Sequence, residues 1–226
     1  MMRIYGMLDS GNCYKPRLLM AMLARPFEHV ETSSRDGTTR SPAYLAKNAN
    51  GKVPLLELED GRFLAESNAI LLYLGEGTRF VPSDPYQRAL VHQWLFFEQY
   101  SHEPLIAVRR SLVLYPERAA QATPERMAAL LEGGNKALGV MEAQLARTPW
   151  LVDDSISVAD IALYVYTQDA HIAGYDMAKF PFVTAWLDRV QAAPGYVGMD
   201  WKPAQNSAFG GRLETSRSGS ETGPNI

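Results

Sequence analysis

The hydrophobic pattern of the chain changes character near residue 77. Before it, short apolar runs alternate with brief helical spacings; beyond residue 86 only helical spacing remains. Residues 3–8 (RIYGML) read as a strand, and in residues 14–24 (YKPRLLMAMLA) Leu18, Leu19, Met22 and Leu23 fall on one helical face. Pro16 has no N–H and is expected in the first helical turn, which puts the helix start between Asn12 and Tyr14. Phe27, His29 and Val30 suggest a second strand, and residues 41–48 (SPAYLAKN) a short helix with Ser41 as cap and Pro42 at its first position. VPLLELE and RFLA, joined by Asp60-Gly61, have the pattern of a hairpin, and Ser67–Leu74 that of the next helix. The order β-α-β-α-β-β-α fits a thioredoxin-like α/β unit.

Residues 77–85 (GTRFVPSDP) read as a linker. After it, residues 86–115 form one long amphipathic run through Leu90, Trp94, Phe97 and Leu105, followed by helical patterns at 124–147, 157–170 and 181–193. The expected architecture is α/β plus all-α: a thioredoxin-like domain over 1–77, a linker over 78–85 and an all-helical domain over 86–201. The segment 202–226 is rich in Gly, Ser, Asn and Pro and reads as a flexible tail, with Phe209 its best anchor. No internal repeat is evident. Ser157-Val-Ala-Asp160 has the spacing of a capping box, with Ile156 and Ile161 placed for a hydrophobic staple.

Composition narrows the function. With 226 residues, 46% of them hydrophobic, the chain can bury a sizeable core. A net charge of −3 gives no basic footprint for nucleic acid, and no apolar run reaches a membrane span. The opening MMRIYGML runs straight into a strand without a signal core, so a cytoplasmic protein is expected. One cysteine excludes an internal disulfide framework, and His29, His92, His102 and His171 lack metal-ligand spacing, so no metal is expected.

Candidate chemistry begins where the first strand hands over to the first helix. A helix N-terminus offers free N–H groups and partial positive charge. In the loop before it, the Ser10 hydroxyl can donate to an anion such as a thiolate and lower its pKa, or Ser10 and Asn12 can simply cap the helix. Cys13 at such a position can be a reactive thiol or a small buried apolar residue. Pro16 stands where a dithiol motif needs its second cysteine, which excludes dithiol exchange there. Pro54 belongs at a strand start or edge, and a cis Val53–Pro54 bond would turn the Val53 backbone toward a ligand. Glu66-Ser67 opens a helix: either an ordinary cap or a site where Ser67 holds a carboxylate and Glu66 an ammonium.

Taken together, SGNCYKPRL at 10–18, NGKVPLLELEDG at 50–61, ESNAILLYL at 66–74 and SVADIAL at 157–163 resemble, in this order, the glutathione S-transferase family. The resemblance spans residues 2–200 and is to bacterial-type, serine-type, zeta/theta-like members. It implies that Ser10 activates the thiol of glutathione, bound as co-substrate, with Asn12 and Cys13 in the same catalytic loop. It implies that Val53 supplies backbone hydrogen bonds to the cysteinyl part, Glu66 and Ser67 hold the γ-glutamyl end, and Lys52 meets the glycyl carboxylate. Attack on an electrophilic, mostly apolar small molecule would then serve detoxification, with Tyr100, His102, Arg109 and Tyr115 as candidates for lining its site. A homodimer is also implied. The zeta pattern has cysteine where this chain has Asn12, so maleylacetoacetate isomerase activity is only weakly implied, and Tyr5 lies too early to imitate the tyrosine of tyrosine-type members. Two further readings stay open: a glutathione-dependent thiol reductase or peroxidase using Cys13, and a non-catalytic glutathione-binding protein.

Overall fold

The computed structural model describes residues 1–203. The expectation of a flexible tail anchored by Phe209 falls almost wholly on residues 204–226, outside the described residues.

Four short strands form one mixed sheet in the order β2-β1-β3-β4. β1 (Arg3–Gly6) runs parallel to β2 (Glu28–Glu31), with Ile4 opposite His29, and antiparallel to β3 (Leu55–Glu57), with Ile4 opposite Leu56. β3 pairs antiparallel with β4 (Phe63–Ala65) across the Asp60-Gly61 turn. The parallel pair needs a crossover, which α1 (Gly11–Met22) supplies. A short α2 (Pro42–Leu45), capped by Ser41, leads to β3, and α3 (Ser67–Gly75) closes the unit.

α1 begins earlier than expected. Ser10 caps it by accepting the Cys13 N–H at 3.4 Å, so Pro16 falls in the second turn and forfeits the bond its nitrogen would have donated to Asn12. Tertiary contact overrides the proline preference here. The buried face of α1, including Tyr14, Leu18 and Leu19, packs on α3 and on α7 (Val158–Thr167).

The expected single run over 86–115 is interrupted. α4 (Pro85–Phe97) passes through a wide π turn at Glu98–His102 into α5 (Glu103–Leu114), and within that turn Glu98 and His102 are both buried. Such turns occur often at functional sites. A 3₁₀ turn at Pro116–Gln121 precedes α6 (Pro124–Leu145), and α8 (Pro181–Gln191) follows α7. All ten residues of α7 are buried, which makes it the central helix of the molecule. None of the described helices is long and apolar enough to cross a membrane.

The capping box at the start of α7 reaches further than its sequence suggests. The buried Asp160 carboxylate accepts from Ser157 N (2.8 Å), Ser157 Oγ (2.9 Å), Leu151 N (2.9 Å) and Trp186 Nε1 (2.9 Å). Burial pushes this carboxyl up, and the four donors pull against that shift. Asp160→Ala strands several buried donors and is expected to cost about 3 kcal/mol or more, since each unmet buried group costs about 1–3 kcal/mol. Urea unfolding of wild type and variant checks this; a loss below 1 kcal/mol, roughly an ordinary cap's worth, would refute the wider role.

Candidate active site

The loop between β1 and α1 is held from behind. Arg17, fully buried on α1, donates to Met7 O (3.3 Å), Leu8 O (2.9 Å) and Met199 O (2.6 Å), fixing the segment that leads into Ser10. From the helical half, the Tyr166 hydroxyl accepts the Asn12 N–H at 3.1 Å. A Cβ on Gly11 would sit 2.6 Å from the Tyr166 ring, so only glycine lets the helix N-terminus seat this closely. Because Ser10 Oγ accepts from Cys13 N, its own hydroxyl proton is uncommitted among the described residues.

Cys13 lies on the other side of that helix turn. It is 0% exposed, and a Cβ at Gly6 would lie 2.7 Å from its sulfur. Burial pushes its thiol up to about 11, against the lowering effect of Ser10. Cys13 is therefore a packing residue under the loop, without the exposure and lowered pKa of a reactive thiol.

Two further backbone features lie on the same unit. The Val53–Pro54 bond is cis. The Lys52 carbonyl accepts from Tyr44 Oη (2.7 Å) and Asn48 Nδ2 (2.8 Å), while the Val53 N–H and C=O have no partner among the described residues. Glu66, exposed, holds φ at +69°, a strained value for a residue with a side chain, at the mouth of α3. Beside it Ser67 donates to Asn12 Oδ1 at 3.4 Å and receives Lys15 Nζ at 3.4 Å. Asn12 thus links the N-termini of α1 and α3, and its Nδ2 donates to Glu103 at 3.4 Å.

Behind Ser67 lies a charged network absent from the sequence reading. Lys15 and Glu98, each 0% exposed, pair at 2.8 Å. Lys15 also donates to Asn68 Oδ1 (3.3 Å), and the second Glu98 oxygen accepts from Asn68 Nδ2 (2.9 Å) and Gln99 Nε2 (2.7 Å). Burial opposes ionisation of Glu98, but the Lys15 ammonium and these donors hold its carboxyl below the usual range.

A cavity of about 500 Å³ opens beside Ser10, between the β1–α1 loop and α5. Met7, Ala107, Val108 and Tyr166 supply apolar wall, while Asp9, Arg35, Glu103, Arg110, Glu117 and Arg118 supply charge. That is more charge than a mostly apolar substrate calls for. Burial, with Glu98 nearby, raises the Glu103 carboxyl. Arg35 bridges one rim, pairing with Asp9 at 2.6 Å and lying 4.7 Å over the Tyr115 ring.

Of the four residues expected to line this space, Tyr115 does so. Tyr100 is 88% exposed and away from the cavity, because the π turn rotates it outward. Arg109 is tied to Ala173 O (2.6 Å) and Met127 O and does not line the cavity. His102 is buried, its Nε2 2.8 Å from Thr167 Oγ1. Thr167 donates onward to Leu163 O at 2.7 Å, so His102 Nε2 carries the proton and Nδ1 is left bare. Helical spacing could not tell these faces apart once a π turn intervened. Among the described residues, no three His, Cys, Asp or Glu side chains are grouped to hold a metal.

Residues 4–78 match the N-terminal domain of glutathione S-transferases and residues 124–189 the C-terminal domain. A solved glutathione S-transferase from Pseudomonas fluorescens Pf-5 is 49% identical, with a TM-score of 0.85 over 88% of this chain and 98% of that one. The chain belongs to the glutathione S-transferase family. By that membership the protein is a glutathione transferase. Glutathione S-transferase F10 of Arabidopsis thaliana is 31% identical over 187 residues, 74% of this transferase and 81% of the relative. A protein of Escherichia coli K12 named disulfide-bond oxidoreductase YfcG is 26% identical over 190 residues, 81% of this chain and 87% of its own.

Two outcomes follow for this transferase. Lys15→Met leaves Glu98 buried and unpaired and is expected to cost about 3–5 kcal/mol in urea unfolding, with much of that regained in Lys15→Met/Glu98→Leu. If the double variant is no more stable than the single, the pair is not what sets the cost. Burial also lowers the His102 pKa to about 4. Between that value and the unfolded value near 6.5 the unfolded chain binds the extra proton, so stability falls as pH falls. From pH 7 to 5 the loss from this group is expected to be about 2 kcal/mol. The stability difference between wild type and His102→Gln should shift by that amount; no shift would remove His102 as the cause.

Proposed function

We propose that this transferase binds glutathione along the edge formed by Val53, Glu66 and Ser67 and activates its thiol through Ser10. One observation carries the proposal: a capping serine whose hydroxyl proton is free stands at the N-terminus of α1 and on the wall of the 500 Å³ cavity. The unpaired backbone groups of Val53 suit the cysteinyl peptide, and the N-terminus of α3 with the Ser67 N–H suits the γ-glutamyl carboxylate. Glu66 answers the γ-glutamyl ammonium, and exposed Lys52 is placed for the glycyl carboxylate. Asn12, engaged with Ser67, Glu103 and Tyr166, positions this machinery.

A thiol such as that of glutathione has a pKa of about 8.5 or slightly higher, so little is thiolate at neutral pH. A fall of about two units requires about 2.7 kcal/mol of differential stabilisation. A hydrogen bond to a charged group supplies about 1.5–3 kcal/mol and the helix N-terminus about 0.3–1. The proton leaves to water, and the thiolate attacks the electrophile in the cavity. The relation to serine-type, zeta/theta-like members rests on the Ser10 loop, and burial of Cys13 supports Ser10 over a cysteine-centred reductase. Exposed Tyr86 and Phe96 on α4 suit a homodimer surface.

The test is an ultraviolet titration of the bound thiolate. In wild type the pKa is expected about two units below free glutathione, and in Ser10→Ala at least one unit higher than in wild type. Equal depression in both proteins would remove Ser10. Loss of turnover in Cys13→Ala with Ser10→Ala unaffected would replace the transferase mechanism by the reductase one.

A further inference from the structure

The cavity beside Ser10 contains a guanidinium that no carboxylate answers. Arg35 is neutralised by Asp9, and Arg110 by Asp169, which accepts both Nε and Nη2 at 2.8 Å. Arg118 has no such partner among the described residues: its Nη1 donates to the Ser111 hydroxyl, and its Nε and Nη2 remain free. Arg110 Nη1 is likewise unengaged, and Arg110, Ser111 and Arg118 all line the same cavity. A half-buried arginine tethered by one nitrogen keeps its planar fork in a fixed place, which suits bidentate recognition of a carboxylate or a similar oxyanion.

No acidic side chain lining the cavity forms an ion pair with Arg118 among the described residues. Asp9 is committed to Arg35, Glu103 to Asn12, and Glu117 is exposed and makes no ion pair among the described residues. Ala107 and Val108 meanwhile supply apolar wall to the same cavity.

We infer that the second substrate of this transferase is an anionic electrophile, an apolar or aromatic body carrying a carboxylate-like group held by Arg118 with the free nitrogen of Arg110. This deepens the transferase proposal and rests on it. For an aryl chloride the step is a substitution: the glutathione thiolate forms a C–S bond at the ring carbon, and chloride leaves with the C–Cl electron pair. The thiol proton has already gone to water.

The experiment compares chlorodinitrobenzene with chlorodinitrobenzoate, which undergo the same reaction and differ by one carboxylate. The readout is the ratio of kcat/KM for the benzoate to that for the neutral compound, so differences in intrinsic reactivity cancel between enzymes. Arg118→Gln is expected to lower this ratio about tenfold, one charge-assisted hydrogen bond's worth, and Arg118→Lys to restore part of it. A structural defect would lower both rates and leave the ratio alone, which would overturn the inference. Calorimetry with the two finished conjugates, dinitrophenyl-glutathione and its carboxylated form, separates the two proposals. If neither substrate reacts but the carboxylated conjugate binds about tenfold tighter in an Arg118-dependent way, the anionic pocket stands and the transferase mechanism falls. If both substrates react with a ratio indifferent to Arg118, the mechanism stands and the anionic pocket falls.

Discussion

A lysine and a glutamate, both wholly withdrawn from solvent, meet at the junction of the two halves of this molecule. Lys15 comes from the first helix of the thioredoxin-like half and Glu98 from the π turn of the helical half. Neither charge is tolerable there alone, so each must be met by its opposite and by further polar groups. Asn68, Ser67 and Gln99 complete that requirement. The site's hydroxyl at Ser67 is therefore held by the same contacts that satisfy the charges. A hydrophobic pair of similar volume would avoid the cost of burying two charges, but would leave Ser67 without its donor.

The N-terminus of α1 is placed by two independent restraints. Arg17 fastens the preceding loop through its carbonyls, and Tyr166 takes the second helical N–H from the opposite domain. Between them Ser10 is held as the cap of α1, its hydroxyl proton uncommitted among the described residues. In the proposed mechanism, preorganisation of this kind would let one hydrogen bond act on the developing anion with little reorganisation. The thiol of Cys13, one turn further on, is displaced into the core by the same geometry and has the raised pKa that burial imposes.

The helical half contributes a different property. Its α5 and the 3₁₀ turn after it present arginines to the cavity, while the sheet side contributes the loop and the backbone edge. In the proposed mechanism, chemistry and selectivity thus come from separate parts of the chain, as one fold serving many substrates requires.

The elements of the first half, the hairpin, the capping box and the short motifs around Ser10, Val53 and Glu66 were all legible in the sequence, because each depends on contacts within a few residues. Strand alternation, a cap three residues from an acidic partner, and Asp-Gly at a turn act locally. What the sequence could not show was which side chains on a helical run face inward once a π turn has shifted the phase. His102, Tyr100 and Arg109 went to places that no 3.6-residue period reveals. Nor could it show that Lys15 would be buried against a glutamate 83 residues away. The same holds for Tyr166, hidden in an apolar run, and for Arg118, whose lack of an acidic partner exists only after the chain has folded around it. Local order follows from neighbouring residues; burial, pairing and the charge of a cavity follow from which distant residues tertiary packing brings together.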